Sequence, residues 1–413
     1  MATIAVLGTF DSKGPEHAFV AAALRRAGFA TLLIDVGCLD APTVTPDIPR
    51  AEVLAALGED SSAILARRDR GECVALMARA AARCVARLAK EGKIHGIISL
   101  GGGGGTAIAT TAMRSLPPGF PKVMVSTLAS GNTAPYVGTS DIVMIPAIVD
   151  VAGINRVSRP IFENAAGAIG GMVTAAENRR ALPAADRPLV VASMFGNTTA
   201  CVNEARRLVE AAGYEVLVFH ATGTGGRSME ALIASGLVAG VLDITTTEWA
   251  DELVGGVMSA GPERLDATAT AKIPAIVVPG CLDMVNFGAP ETVPSKFSGR
   301  IFYHHNPQVT LMRTSPAECA QLGHILAEKI NRYTAPVTVL LPRAAISVIS
   351  ARGQPFHDPV ADAALFDSLR AHLRPDIPVI DTNLAINDSA FAAACAEALL
   401  AHLPRLVPPP PAT

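Results

Sequence analysis

Gly96-Ile97-Ile98-Ser99-Leu100-Gly101-Gly102-Gly103-Gly104-Gly105-Thr106-Ala107-Ile108-Ala109-Thr110-Thr111-Ala112-Met113-Arg114 is the stretch on which the reading of this chain turns. The apolar run Gly96–Leu100 predicts a buried strand, and Thr106–Arg114 predicts a helix. Lys122–Ser126 predicts a second buried strand soon after. A strand, a tight glycine connection, a helix and another strand make a βαβ unit, which requires parallel strands. Working outward, Thr3–Gly8 and Ala30–Val36 predict two more strands. Pro15–Gly28 predicts the helix between them, and Gly71–Lys90 a long helix before Gly96. A Pro- and Asp-rich excursion occupies Gly37 to Asp69.

The alternation stops at Glu177–Pro188, a charged stretch with two prolines that reads as a linker, and then restarts. Leu189–Ser193, Glu215–Phe219, Gly240–Ile244, Ala275–Val278, Val337–Leu341 and Val379–Asp381 predict strands, with helices at Thr199–Ala212 and Arg227–Ser235. The expected architecture is two doubly wound, Rossmann-like α/β lobes with mainly parallel sheets and a cleft between them. The expected boundaries are 1–180 for the first lobe, 181–188 for the linker, 189–403 for the second lobe and 404–413 for a disordered Pro-rich tail.

Composition removes several classes of function. With 34 Lys+Arg against 37 Asp+Glu in 413 residues, the charge balance argues against a nucleic-acid binder working through a basic surface. Hydrophobic residues make up 50 % and charged residues 17 %, enough to bury large cores. The longest weakly charged stretch contains the five glycines and is unsuited to spanning a membrane. The amino terminus lacks the pattern of a secretory signal. Seven dispersed cysteines, odd in number and without C-x-x-C spacing, fit free thiols in a cytoplasmic setting.

In open parallel sheets, ligands sit beyond the carboxyl ends of the strands. Three such ends in the first half are rich in polar and small residues. Gly8-Thr9-Phe10-Asp11-Ser12-Lys13-Gly14 places hydroxyls, a carboxylate and an ammonium before a helix, where free N–H groups receive anions. Its bland reading is helix capping. Gly101, Gly102, Gly103, Gly104, Gly105 and Thr106 let main chain approach a phosphate closely. No Gly-Lys-Ser/Thr follows, so this is no P-loop, and no acid stands where the dinucleotide fingerprint needs one. The bland reading is a tight turn, for which one or two glycines suffice. Ser126–Thr133, with Ser130, Gly131 and Asn132, offers many small donors, or else an ordinary Asx or Ser turn. Gly138–Asp141 and Asp150–Asn155 add further polar positions.

The second half has its own cluster at predicted strand ends: His220, Arg227, Glu248, Cys281, Asp283 and the His304/His305 pair. These side chains make an acid–base site conceivable, with Glu248 and His304 for proton transfer and Arg227 for an anion. No metal-binding spacing is present, and a buried structural thiol is the default for Cys281.

These motifs resemble the family of the ATP-binding amino-terminal domain of the tomato mosaic virus resistance protein and its uncharacterised bacterial relatives. The resemblance rests on Gly8–Lys13, Gly101–Thr106, Ser126–Asp141, Val149–Ser158, His220–Met229, Asp243–Glu248, Pro279–Gly288 and Val309–Thr314. Most specific is the long string Ala-Ser-Gly-Asn-Thr-Ala-Pro-Tyr-Val-Gly-Thr-Ser-Asp (129–141). It implies two α/β lobes, self-association, and bound ATP with magnesium. Nucleotide contacts carry over to Gly8, Thr9, Asp11, Lys13, Gly101–Thr106 and Ser130–Asn132. Asp11 is the candidate Mg²⁺ carboxylate, directly or through water. Two other functions stay open: an enzyme acting on a small anionic metabolite in the second lobe, and a protein-interaction scaffold. Ile154–Val173, rich in Gly and Ala and apolar on more than one face, is the expected homodimer contact.

Overall fold

Thr3–Gly8 forms strand β1, whose side chains alternate between two buried faces. Ala5 and Leu7 point to one, Ile4 and Val6 to the other, and both faces are covered by helices. That is why the strand reads as one continuous apolar run rather than an alternating one. The computed structural model describes residues 1–181 and 187–406. They fall into two units, Met1–Ala184 and Ala185–Thr413. Residues 182–186 of the expected linker and 407–413 of the expected tail lie outside the described residues.

After β1 the first unit continues through α1 (Phe10–Arg26), β2 (Ala30–Asp35), α2 (Arg50–Ala55), α3 (Ser62–Arg67), α4 (Arg70–Lys90), β3 (Gly96–Gly101), α5 (Gly103–Arg114), β4 (Lys122–Ser126), α6 (Ala134–Val137), β5 (Val143–Pro146) and α7 (Ser158–Ala181). The five strands are parallel in the order β2-β1-β3-β4-β5. Helices α2, α4 and α5 pack on one face, α1 and α7 on the other.

Four details depart from the sequence reading. Helix α5 starts at Gly103, so three of the five glycines form its first turn. Helix α1 starts at Phe10 and kinks at Lys13 (φ −131°, ψ 23°), with Pro15 opening its regular part. Charged Glu177–Ala181 completes α7 instead of forming a linker. The short edge strand β5 was not expected.

The second unit runs β6 (Leu189–Met194), α8 (Thr199–Ala211), β7 (Glu215–His220), α9 (Thr224–Ala234), β8 (Val238–Thr245), α10 (Glu248–Val254), α11 (Asp266–Ala271), β9 (Ala275–Gly280), β10 (Met284–Phe287), β11 (Phe302–Asn306), β12 (Val309–Arg313), α12 (Pro316–Ile330), β13 (Val337–Pro342), α13 (Pro359–His372), β14 (Val379–Thr382) and α14 (Ser389–His402). Six strands form a parallel sheet in the order β14-β13-β9-β8-β6-β7. Helices α8 and α14 cover one face; α9, α10, α12 and α13 cover the other. Strands β10, β12 and β11 make a separate antiparallel sheet; the sequence reading expected a strand at Ile301–Tyr303 but not this pairing. The tail is ordered where it begins: Tyr214 donates to the Pro404 carbonyl (2.5 Å), and Leu406 lies against Gly213.

Candidate functional site

A cavity of about 370 Å³ opens in the first unit at the carboxyl edge of its sheet. Thr9, Asp11, Ser12 and Lys13 line it from the start of α1. Cys38, Leu39 and Asp40 line it from the loop after β2, Arg70 and Val74 from α4, and Asp150 from the loop after β5. Gly101–Gly105 and Ile108 complete the wall. Two expected motifs thus meet here, although almost ninety residues separate them.

The glycines are unusual in what they do not touch. Gly102 is the N-cap of α5, and no side chain caps the N–H groups of its first turn. None of Gly101–Gly105 has positive φ. A Cβ placed at Gly102, Gly103, Gly104 or Gly105 would find its nearest neighbour at 3.7, 4.0, 3.6 or 3.8 Å, ordinary van der Waals contact. Only Gly101 is crowded, with the Gly105 Cα at 3.2 Å. Neither backbone conformation nor internal packing requires four of these five glycines.

Other expected contacts have different work. A Cβ at Gly8 would collide with the His17 ring, so this glycine makes room for a side chain of its own chain. His17 Nδ1 lies 2.7 Å from the Lys13 carbonyl, and Nε2 lies 3.3 Å from the Leu100 N–H. Both contacts are satisfied when Nδ1 carries the proton. Burial pushes the pKa down to about 4, so the ring is neutral and ties the α1 kink to β3. The Asp11 carboxylate accepts from Leu39 N–H (3.0 Å) through one oxygen. Thr106 is buried with its hydroxyl 2.7 Å from that of Ser126, so it braces the strand edge and does not line the cavity. Ser130, Gly131 and Asn132 are absent from the cavity wall. Asn132 forms a local turn instead, accepting from Ala134 N–H (3.2 Å).

Lys13 and Arg70 bring positive charge to the cavity wall. Neither makes an ion pair among the described residues, where Asp40 is paired with Arg68 (3.0 Å). Among the described residues no group of three or more His, Cys, Asp or Glu side chains is arranged to hold a metal. A Mg²⁺ carried by a nucleotide needs only one or two protein carboxylates, and the second oxygen of Asp11 fits that demand. The Cys38 thiol is pushed up to about 12, chiefly by burial, and stays protonated.

Glu248, Arg227 and Asp283 of the second unit are each held by hydrogen bonds within the chain. Glu248 is 1 % exposed and accepts from Gly223 N–H (2.7 Å), Gly226 N–H (3.0 Å) and Arg264 Nε (2.8 Å). Arg264 is equally buried and also holds Asp243 (2.5 Å) and Glu230 (3.1 Å). Glu248 is therefore a structural counter-ion and no free acid or base. Arg227 donates to the Ser259 carbonyl (2.9 Å) and to Thr224 (3.1 Å). The Cys281 thiol is wholly buried and pushed far up, by burial first and then by the charge of Asp283, which removes it as a nucleophile. Asp283 is buried too, accepting from Ser347 (2.7 Å). His220 stands exposed beside Phe195, with ring centroids 5.4 Å apart. His304 lies in β11 opposite Thr310 of β12, so it belongs to the antiparallel sheet. It lines a shallow cavity with Phe297, Phe302 and Thr310 that includes none of the other candidates.

Comparison with known proteins agrees with the resemblance in the motifs. The amino-terminal model of the "Uncharacterised protein family (UPF0261)" matches residues 2–178, and the carboxyl-terminal model of that family matches residues 187–403. The chain belongs to the UPF0261 family. A UPF0261 protein of Clostridium tetani is 48 % identical over 398 residues, covering 96 % of this chain and 98 % of that protein. The ToMV resistance protein Tm-1 of Solanum lycopersicum is 39 % identical over 421 residues, covering 97 % of this chain and 55 % of the tomato protein. Among solved structures, UDP-N-acetylglucosamine 2-epimerase from Rickettsia bellii is 13 % identical. It covers 67 % of this chain and 78 % of that one at a TM-score of 0.23, a likeness too loose to bear on chemistry. No described helix is long and apolar enough to cross a membrane.

Sequence reasoning passed over Cys38, Leu39, Asp40, Arg70, Val74 and Ile108. One signal was available for the helical ones. Val74 lies in the first turn of the predicted helix and Arg70, four residues before it, immediately precedes that helix, so helical spacing extended by one residue puts both on one face. Asp69, which caps that helix by accepting from Glu72 N–H (2.8 Å), marks where that face begins.

Proposed function

We propose that the first unit binds a nucleoside triphosphate, with its phosphates against the amino-terminal turn of α5. ATP with magnesium is the ligand that the sequence resemblance implies. The observation that carries the reading is the row Gly102–Gly105. These glycines lower helix propensity, and no contact within the chain asks for them, so the space they leave is read as space for a ligand. Lys13 and Arg70 supply positive charge beside that turn, and Asp11 has one oxygen left for a magnesium ion.

Calorimetric titration of the wild-type chain with Mg·ATP and with adenosine tests this reading. Mg·ATP should bind and adenosine should bind far more weakly. Equal affinities would remove the phosphates from the site. Whether ATP is turned over is open to the same preparation by phosphate release.

Self-association is the second part of the proposal. Phe162, Ala165, Ile169 and Val173 of α7 are buried in the first unit, and Gly170 packs on Phe29. The helix therefore has one buried side. Its other side exposes Glu163, Gly167, Ala168 and Gly171, with open space above both glycines. A homodimer through this side predicts twice the chain mass by light scattering at micromolar concentration. It also predicts monomers on Gly167→Glu/Gly171→Glu substitution. A monomeric wild-type chain would end the idea.

A further inference from the structure

Asp150 reaches the cavity of the first unit from the loop between β5 and α7, and the backbone of that loop is strained. Val149 N–H donates to the Ala147 carbonyl (2.7 Å), and Ile148 between them has φ +64°. This is the positive-φ form of the γ-turn, which is rare and strained. Its central residue is β-branched, a type for which positive φ is a genuine outlier. The Ile148 side chain is 75 % exposed, so packing of that side chain does not explain the conformation. A second three-residue turn follows at once, with Ala152 N–H donating to the Asp150 carbonyl (2.8 Å).

Both ends of the loop are fastened. Ala147 N–H donates to the Ser126 carbonyl (3.0 Å) at the end of β4. Gly153 N–H donates to the buried carboxylate of Glu16 on α1, and Val151 between the two ends is fully buried. Asp150 is thus set between two anchors by two tight turns. Its own carboxylate enters no hydrogen bond or ion pair among the described residues. Strain that nothing within the chain explains is characteristic of residues that position a ligand.

We propose that Asp150 receives the sugar hydroxyls of the bound nucleotide. This rests on the nucleotide reading and adds to it the group that reads the ribose. A carboxylate only accepts, so its partner must bring donors. Lys13, Arg70 and the first turn of α5 suit the phosphates, not an acceptor. Asp11 is engaged with Leu39 N–H and Asp40 with Arg68, so Asp150 is the carboxylate of the wall without a partner. A protein-built metal cage is not its purpose, since no cluster of metal-ligating side chains surrounds it among the described residues. Vicinal hydroxyls place two donors on one carboxylate, the arrangement by which acidic side chains hold ribose in other α/β sheets.

The test is calorimetric titration of ATP, 2′-deoxy-ATP and inorganic tripolyphosphate, each with magnesium, into wild type and Asp150→Ala. The exposed position of Asp150 keeps the variant folded. Wild type should prefer ATP over 2′-deoxy-ATP by about tenfold, the scale of one hydrogen bond to a charged group. Asp150→Ala should lose that preference and bind ATP roughly tenfold to a hundredfold more weakly, while binding tripolyphosphate as wild type does. Equal losses for ATP and tripolyphosphate would put Asp150 at the phosphates and overturn the proposal, as would unchanged ATP binding. If wild type binds tripolyphosphate as tightly as ATP, the sugar contact fails and the phosphate site stands. If wild type binds neither, the nucleotide reading falls and this inference falls with it.

Discussion

Gly226 and Gly104 occupy comparable places, each in the first turn of a helix that follows a strand, for opposite reasons. A Cβ on Gly226 would run into the Glu248 carboxylate, and one on Gly225 into the His220 carbonyl. Those glycines close a buried ion network. Gly103 and Gly104 close nothing, and this gives a prediction with an unusual sign. In Gly103→Ala/Gly104→Ala the new methyl groups fit, and each exchange should stabilise α5 by up to about 1 kcal/mol through helix propensity. The ATP-induced rise in unfolding temperature should be lost all the same. A variant that is less stable without ligand, or that binds ATP undiminished, would refute the reading of the glycine row. Lys13→Ala should weaken ATP by about 1.5–3 kcal/mol, the range for a hydrogen bond to a charged group, and leave adenosine nearly unaffected. Equal losses for both ligands would place Lys13 away from the phosphates.

At the scale of elements, the parallel sheets were legible because strands buried on both faces leave continuous apolar runs, as in Ile97–Leu100 and Val190–Ala192. The antiparallel pairing of β10, β11 and β12 was not, although a strand was expected at Ile301–Tyr303. Phe-Tyr-His-His-Asn (302–306) carries three polar residues on a half-exposed strand, and Met-Val-Asn-Phe (284–287) is too short to show a period. The first turn of α5 was hidden because glycine is a poor helix former. His17 was invisible for another reason: beside the local Lys13 carbonyl its partner is the Leu100 N–H, and only folding brings Leu100 to it. Its role has a pH signature. Burial lowers the folded-state pKa from 6.5 to about 4, so between those values the unfolded chain binds the extra proton. The stabilisation is complete above pH 6.5 and is lost as pH falls toward 4, a change of about 3 kcal/mol in the first unit. Urea unfolding of the first unit at pH 7, 5.5 and 4.5 should show the decline, and His17→Asn should flatten it. An equal decline in the variant would assign the acid sensitivity elsewhere.

The wall of the candidate site illustrates, for the whole molecule, what a sequence withholds. Residues 9–13 and 101–105 announced themselves because each motif is dense within a few positions. Arg70 and Asp150 join them only because α4 and the loop after β5 end at the same edge of the sheet, a fact of topology with no local trace. The second unit shows the converse, since Glu248 looked reactive in sequence and is sealed by burial, while Cys281 is the buried thiol that is the default for a free cysteine. Burial also gives the second unit a pH response opposite to that of the first. Asp251 is 1 % exposed and accepts from Met258 N–H (3.1 Å), Asn286 N–H (3.1 Å) and Asn286 Nδ2 (2.7 Å). Desolvation outweighs these bonds and raises its pKa from 3.8 to about 7. The folded state then holds the extra proton, so stability is greatest below pH 4 and is lost as pH rises through 7, by up to about 4 kcal/mol. Asp283, raised to about 6 by burial, acts in the same sense. In Asp251→Asn the side-chain oxygen can keep both backbone N–H bonds. Its amide can donate to the Asn286 Oδ1, which has no partner now, once the Asn286 amide turns over. Calorimetry between pH 5 and pH 8 should therefore find a smaller fall in the unfolding temperature of the second unit in Asp251→Asn than in wild type, with the Asp283 share remaining. Identical pH profiles for the two proteins would show that the Asp251 carboxylate is already ionised in the fold at pH 5 and that its three hydrogen bonds, not desolvation, decide its charge.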